Sequence, residues 1–177
     1  MNKAVFLDRD GTLNVDTGYV HKIEDFRLYD GVIEALRLLK DFKLFIITNQ
    51  SGIGRGYYKE EDMHNFNKML LNELSRNYIR IEKIYFCPHA PEEKCDCRKP
   101  NTKFINEAKK EYKLNLKECW VVGDHPSDIL MAKKAGCRSV YVLTGHGQKH
   151  IGEAKDKAEF IATNLLKAAQ YILRNTS

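Results

Sequence analysis

The chain has 177 residues, 43% hydrophobic and 30% charged, which suits one ordinary globular domain (residues 1–177) and excludes a disordered chain. Its formal net charge of +5 serves a small anionic substrate as well as a nucleic acid, and lysines mixed with glutamates, as in Lys59-Glu60-Glu61, read as solvated surface. The N-terminal apolar run Ala4–Leu7 falls far short of a signal-peptide core or a spanning helix, which predicts a cytoplasmic protein with reduced thiols and no membrane partner.

In chain order, Ala4–Leu7 reads as a buried strand stopped by the charged turn Asp8-Arg9-Asp10-Gly11. Gly31–Lys40 has Val32, Ala35, Leu36 and Leu39 at helical spacing. Leu44–Thr48 is a second strand, ending in polar Asn49-Gln50-Ser51-Gly52. An amphipathic helix from about Lys59 to Asn77 would bury Met63, Phe66, Leu70 and Leu74. Ile84–Cys87 is a third strand, Thr102–Tyr112 a helix and Cys119–Val122 a fourth strand. The turn Gly123–Asp128 offers Ser127 as N-cap of a helix that Gly136 closes. Ser139–Leu143, Phe160-Ile161 and a helix over Leu165–Leu173 complete the chain. Strand–helix alternation predicts an α/β fold, a Rossmann-like three-layer sandwich with a mostly parallel sheet. The glycines at 52, 54 and 56 lack dinucleotide-fingerprint spacing and read as loop flexibility.

Three polar clusters each follow a predicted strand: Asp8–Asn14, Thr48–Ser51 and Gly123–Asp128. Strand carboxyl ends share one edge in such sheets, so these clusters are expected to meet in one site. A carboxylate at a strand end, Asp8, can attack phosphorus, and Asp10 nearby can protonate the leaving oxygen and then take a proton from water. Two anions facing a phosphate need a cation; Asp124 and Asp128 add hard oxygen ligands suited to Mg²⁺, directly or through water. Lys99, the planar fork of Arg98 and the hydroxyl of Thr48 supply donors for developing charge. A nucleic-acid-binding module leaves these aspartates unexplained.

Cys87, His89, Cys95 and Cys97 offer three thiolates and an imidazole, the ligand count of a closed zinc site, with buried reduced thiols as the alternative.

Asp8-Arg9-Asp10-Gly11-Thr12-Leu13, Thr48-Asn49-Gln50-Ser51, Arg98-Lys99-Pro100 and Gly123-Asp124…Asp128 resemble the four motifs of the haloacid dehalogenase superfamily of phosphotransferases. Asp16-Thr17-Gly18-Tyr19-Val20-His21, Gly52–Tyr57 and Cys87-Pro88-His89…Cys95-Asp96-Cys97 are similar to its heptose-bisphosphate phosphatase branch, which also contains histidinol phosphatases. The resemblance implies a phosphatase for a small phosphorylated metabolite, without a large cap domain and monomeric. Asp8 would be the nucleophile and Asp10 the general acid/base. Asp8, the Asp10 backbone carbonyl and Asp124 would hold Mg²⁺, while Thr48 and Lys99 would stabilise the phosphoryl group. Arg98 would recognise substrate, and Asp16, Thr17, Gly18, Tyr19, Asn49, Gln50 and Ser51 would line its pocket. The same resemblance implies a structural zinc in the short cysteine loop, stiffening the segment that delivers Arg98 and Lys99. The free-standing chain leans toward the heptose substrate over histidinol phosphate. His125 departs from the family pattern and is either a substrate contact or a solvent-facing turn residue. Gly54, where alanine is frequent, is expected to loosen the loop around Arg55, which either reaches substrate or packs on the surface.

Overall fold

The structure, a computed structural model, describes residues 2–176. The short apolar runs become six strands, β1 (Ala4–Leu7), β2 (Lys43–Asn49), β3 (Lys83–Cys87), β4 (Trp120–Gly123), β5 (Arg138–Val142) and β6 (Phe160–Ala162). They form one sheet in the order β3-β2-β1-β4-β5-β6, and every neighbouring pair is parallel. Parallel pairing forces crossovers, and the helices supply them: α1 (Val32–Leu38), α2 (Ser51–Gly54), α3 (Glu60–Arg76), α4 (Lys103–Tyr112), α5 (Pro126–Ala135), α6 (Gly147–Ala154) and α7 (Leu165–Arg174).

Residues of β1 alternate between two cores because successive strand side chains point to opposite faces. Val5 and Leu7 pack with Trp120, Val122, Leu36 of α1 and Ile172 of α7. Ala4 and Phe6 pack with Phe45, Val121, Ile105 of α4 and Met131 of α5. Helices therefore cover both faces, giving the expected three layers. Each fully buried Leu or Phe contributes about 1.5–3 kcal/mol, so the strands run apolar on both sides.

Two helices escaped the sequence reading, α2 and α6. The cap of α5 also differs from expectation. His125, not Ser127, is the N-cap: it is extended (φ −122°, ψ 144°), Pro126 occupies the first helical position, and His125 Nδ1 accepts from the Ser127 N–H at 3.2 Å. Asp128 answers by accepting from the His125 N–H at 3.1 Å. Gly136 closes this helix in the left-handed region (φ 78°), as expected.

Two of the three glycines read as flexibility, Gly52 and Gly54, do something else. A Cβ on Gly52 would overlap the Tyr58 ring, and one on Gly54 would lie 2.6 Å from the Ala90 nitrogen. These residues are glycine so that α2 can press against its neighbours, and the Gly54 N–H donates to the Pro88 carbonyl at 2.8 Å. The segment before Arg55 is thus fastened to the cysteine loop rather than loosened.

Strand order reverses direction between β1 and β4, the position where open parallel sheets leave a crevice at their carboxyl edge.

Candidate active site

The Asp8 N–H donates to the Val122 carbonyl at 2.9 Å, so Asp8 continues the sheet by one residue and inherits its rigidity. The chain then reverses. Gly11 takes φ 87°, and a Cβ there would overlap the Asp124 carboxylate, so glycine is required for both conformation and space. Asp124 follows β4, and Asp128 lies one turn into α5, fully buried. Carboxylate oxygens of Asp8, Asp124 and Asp128 lie within 4.8 Å of one another.

Lys99 enters this cluster from the loop after Cys97. Its Nζ sits 2.8 Å from Asp8 Oδ1 and 2.7 Å from Asp128 Oδ1, and it donates to the Ile47 carbonyl at 3.0 Å. Its backbone N–H donates to Asn49 Oδ1 at 3.1 Å, tying the loop to the end of β2. Burial opposes the ammonium charge, but Asp128 and Asp8 outweigh it and hold the pKa above the ordinary lysine value.

Three carboxylates around one ammonium leave negative charge uncompensated. Burial first, then the charges of Asp8 and Asp128, pushes Asp124 up to about 9. Burial also pushes Asp128 up to about 7, with Lys99 pulling the other way. These protons belong to the cluster as a whole. A divalent cation held by oxygen ligands would replace them, so the donor set fits Mg²⁺.

A pH dependence follows. Both folded values exceed the ordinary 3.8, so without a cation the folded chain keeps protons that the unfolded chain has released. Stability of the Mg²⁺-free protein should fall from about pH 4 through pH 7 and 9. Added Mg²⁺ should therefore raise Tm more at about pH 9 than at about pH 6. Thermal melts at both pH values check this, and equal Mg²⁺ shifts would contradict it.

Asp10 is held differently. Its Oδ1 accepts from Arg9 Nε and Asn14 Nδ2, both at 2.9 Å, and its Oδ2 from an Arg9 terminal nitrogen and Gln50 Nε2, both at 2.8 Å. Arg9 is fully buried, anchored by Asn67 Oδ1 (2.8 Å) and the Val20 carbonyl (3.1 Å), and lies over the Phe66 ring. The Asp10 side chain is not one of the three converging carboxylates; its expected metal contact is through the backbone.

These groups open into a cavity of about 650 Å³. Of the expected residues, Asp8, Asp10, Asp16, Gly18, Tyr19, Thr48, Asn49, Gln50, Ser51, Arg98, Lys99, Asp124 and His125 line it, while Asp128 lies behind. Two expected pocket residues do not line it. Thr17 is exposed at the tip of a turn closed by the Gly18 N–H donating to Asp16 Oδ1 at 2.7 Å. Arg55 turns outward to Glu92, 3.1 Å away. His125 is solvent-exposed, lines the cavity and caps α5.

The sequence reading missed Tyr58, Ser127, Pro100 and His146 in the lining. His146 follows β5, and the rule that gathered the other clusters at strand ends would have found it. Its N–H donates to Asp124 Oδ2 at 2.8 Å, and its Nε2 lies 3.1 Å from Asp16 Oδ2.

Beside the cavity, the ligand atoms of Cys87, His89, Cys95 and Cys97 also converge within 4.8 Å. Cys87 and Cys95 sulfurs are 3.7 Å apart, and His89 Nδ1 lies 3.6 Å from Cys87 and 3.3 Å from Cys97. Zn–S bonds of about 2.3 Å in a tetrahedron imply S···S separations of about 3.8 Å. Cys87 and Cys95 match this, Cys97 and Cys87 at 3.1 Å are closer, and three thiols with one imidazole form a donor set that could hold zinc.

Comparison with known proteins adds an independent line. A HAD-hydrolase-like family profile matches residues 96–168. The chain is 40% identical over 179 residues to the D-glycero-beta-D-manno-heptose-1,7-bisphosphate 7-phosphatase of Haemophilus ducreyi, covering 96% of this chain and 98% of that protein. It is 49% identical over 129 residues to the D-glycero-alpha-D-manno-heptose-1,7-bisphosphate 7-phosphatase of Campylobacter jejuni, covering 72% of this chain and 74% of that one. The crystal structure of D,D-heptose 1,7-bisphosphate phosphatase from B. bronchiseptica, complexed with magnesium and phosphate, superposes with a TM-score of 0.90 at 27% identity, covering 99% of this chain and all of that one. By its motifs, its sheet and its relatives, the chain belongs to the heptose-1,7-bisphosphate 7-phosphatase family of haloacid-dehalogenase-like hydrolases.

Proposed function

We propose that this protein removes the C7 phosphate of D-glycero-D-manno-heptose 1,7-bisphosphate through a phosphorylated Asp8. The observation that carries this reading is the convergence of Asp8, Asp124 and Asp128 around Lys99 at one cavity, in a chain so similar to phosphatases of that name. Asp8 Oδ1 is engaged by Lys99 and by the Arg9 N–H at 2.7 Å, which leaves Oδ2 for the attack on phosphorus. As the Asp8–phosphorus bond forms, the bond from phosphorus to the C7 oxygen breaks, and protonated Asp10 gives that oxygen its proton. Water then attacks phosphorus as Asp10 takes its proton back, and the Asp8–phosphorus bond breaks to release inorganic phosphate and the free carboxylate. Lys99 and Thr48 hold the phosphoryl oxygens, and Arg98 meets the remaining anionic part of the substrate. Mg²⁺, held by Asp8, the Asp10 carbonyl and Asp124 with Asp128 behind through water, would offset the repulsion between carboxylates and phosphate.

The test is phosphate release with Mg²⁺, comparing the heptose bisphosphate with histidinol phosphate. A kcat/KM of about 10⁴ M⁻¹s⁻¹ or more for the bisphosphate, well above the other, is expected. Preference for histidinol phosphate would overturn the substrate while leaving the chemistry. We read the protein as a monomer, as the family resemblance implies, and as having no nucleic-acid partner, because carboxylates line its anion site. Among the described residues no helix is long and apolar enough to cross a membrane.

In the same reading Cys87, His89, Cys95 and Cys97 hold a structural zinc. Arg98 and Lys99 follow Cys97 directly, so the ion would fix the start of the segment that delivers both cations. Cys95→Ala should raise KM and lower Tm without changing the reaction catalysed. Steady-state kinetics and thermal melts check this; full activity and unchanged Tm in metal-free Cys95→Ala protein would remove the role.

A further inference from the structure

Beside Thr48 and Asp10, in the cavity wall, lies a chain of polar groups that the mechanism above does not use. Tyr58, 7% exposed, places its hydroxyl 2.6 Å from Gln50 Oε1. Gln50, 2% exposed, places Nε2 2.8 Å from Asp10 Oδ2 and 2.8 Å from Thr48 Oγ1. Gln50 Nε2 donates to Asp10 Oδ2 and Thr48 Oγ1, so the amide presents its NH₂ to them and its carbonyl to Tyr58. Tyr58 must then donate. Burial first, then nearby groups including Asp10, pushes its pKa up to about 12, so it keeps that proton. Its ring is clamped, stacked on His21 with centroids 4.5 Å apart and closely backed by Gly52.

The second Gln50 N–H has a consequence for Thr48. Because Thr48 Oγ1 accepts from Gln50, the hydroxyl hydrogen of Thr48 is directed away from Gln50 and remains available to a phosphoryl oxygen. One amide thus sets both the Asp10 carboxylate and the direction of the Thr48 O–H.

We propose that Tyr58 is a positioning residue for phosphoryl transfer, acting through Gln50 to orient Asp10 and Thr48. It rests on the phosphatase reading and adds to it. A chain of groups each fixed by the next gives preorganisation, which acts on the chemical step rather than on ground-state binding.

The experiment is steady-state kinetics of Mg²⁺-loaded parent, Tyr58→Phe, Gln50→Leu and the double variant on the heptose bisphosphate, with thermal melts of each. Tyr58→Phe keeps the ring and deletes only the donor. Loss of one such hydrogen bond from the transition state should lower kcat about tenfold with KM unchanged. In the Gln50→Leu background the same change should cost less than about twofold, because the path to Asp10 and Thr48 is already cut. A raised KM at unchanged kcat would make Tyr58 a direct substrate contact, and unaltered kinetics or fully additive losses would also overturn the proposal. If Gln50→Leu fails to fold, the kcat-against-KM pattern of Tyr58→Phe alone decides. An inactive parent would instead strike the phosphatase reading itself.

Discussion

Asp8→Asn should lower turnover by roughly 10⁴-fold or more, the scale seen when a covalent nucleophile is removed. Asparagine keeps the shape and accepts from the Arg9 N–H, but its amide cannot form the acyl phosphate. Stability should move the other way. Asp8 is one of three clustered carboxylates beside a single ammonium, and its charge helps raise Asp124 and Asp128. Neutralising it relieves that repulsion, and Lys99 keeps its pair with Asp128, 2.7 Å away. Tm without added Mg²⁺ should therefore stay level or rise while activity disappears, a separation expected where a functional site stores unfavourable charge. Rapid-quench kinetics and melts on one preparation check both. Parent-like turnover would remove Asp8 as nucleophile, and a large fall in Tm would mean the carboxylate is structural.

Lys99→Met should fail on both counts. Lys99 is 5% exposed and bridges Asp8 and Asp128. Methionine fills similar volume but leaves the buried carboxylates unpaired, a loss of about 3–5 kcal/mol when one partner of a buried pair is removed. Its charge is also aimed at the transferring group, and removal of such a donor costs about 10²–10³ in kcat. Mg²⁺ should recover part of the stability, because a cation can replace some of the missing charge, but not the turnover. Denaturant unfolding at neutral pH with and without Mg²⁺, beside single-turnover rates, checks this. A Lys99→Met protein as stable as the parent without Mg²⁺ would show that further proton uptake by the cluster fully replaces the lost ammonium.

Much of this arrangement is legible in the sequence. Parallel strands buried on both faces must be short apolar runs, and Ala4–Leu7 and Leu44–Thr48 are such runs. Polar clusters after strands converge because the carboxyl ends share an edge, which brought Asp8, Thr48 and Asp124 to one cavity. What was not readable depends on contacts distant in sequence. The helix α2 contains two glycines that local propensity disfavours, and it forms where Gly52 meets Tyr58 and Gly54 meets the cysteine loop. The helix α6 buries little beyond Gly147 and Ala154, so it has scant apolar periodicity to read. For Arg55 the sequence leaves substrate contact and surface packing open, and Glu92, 3.1 Å away and distant in sequence, pairs with it on the surface. Ser127 has the usual chemistry of an N-cap, yet Pro126 suits the first helical position and moves the cap to His125.

The account stands most directly on which phosphate leaves. Phosphorus NMR of the heptose 1,7-bisphosphate during Mg²⁺-dependent turnover resolves the C1 and C7 phosphates and inorganic phosphate together. Loss of the C7 signal, retention of the C1 signal and one inorganic phosphate released for each substrate consumed is the predicted result. Loss of the C1 phosphate, or no release with Mg²⁺ present, would contradict it.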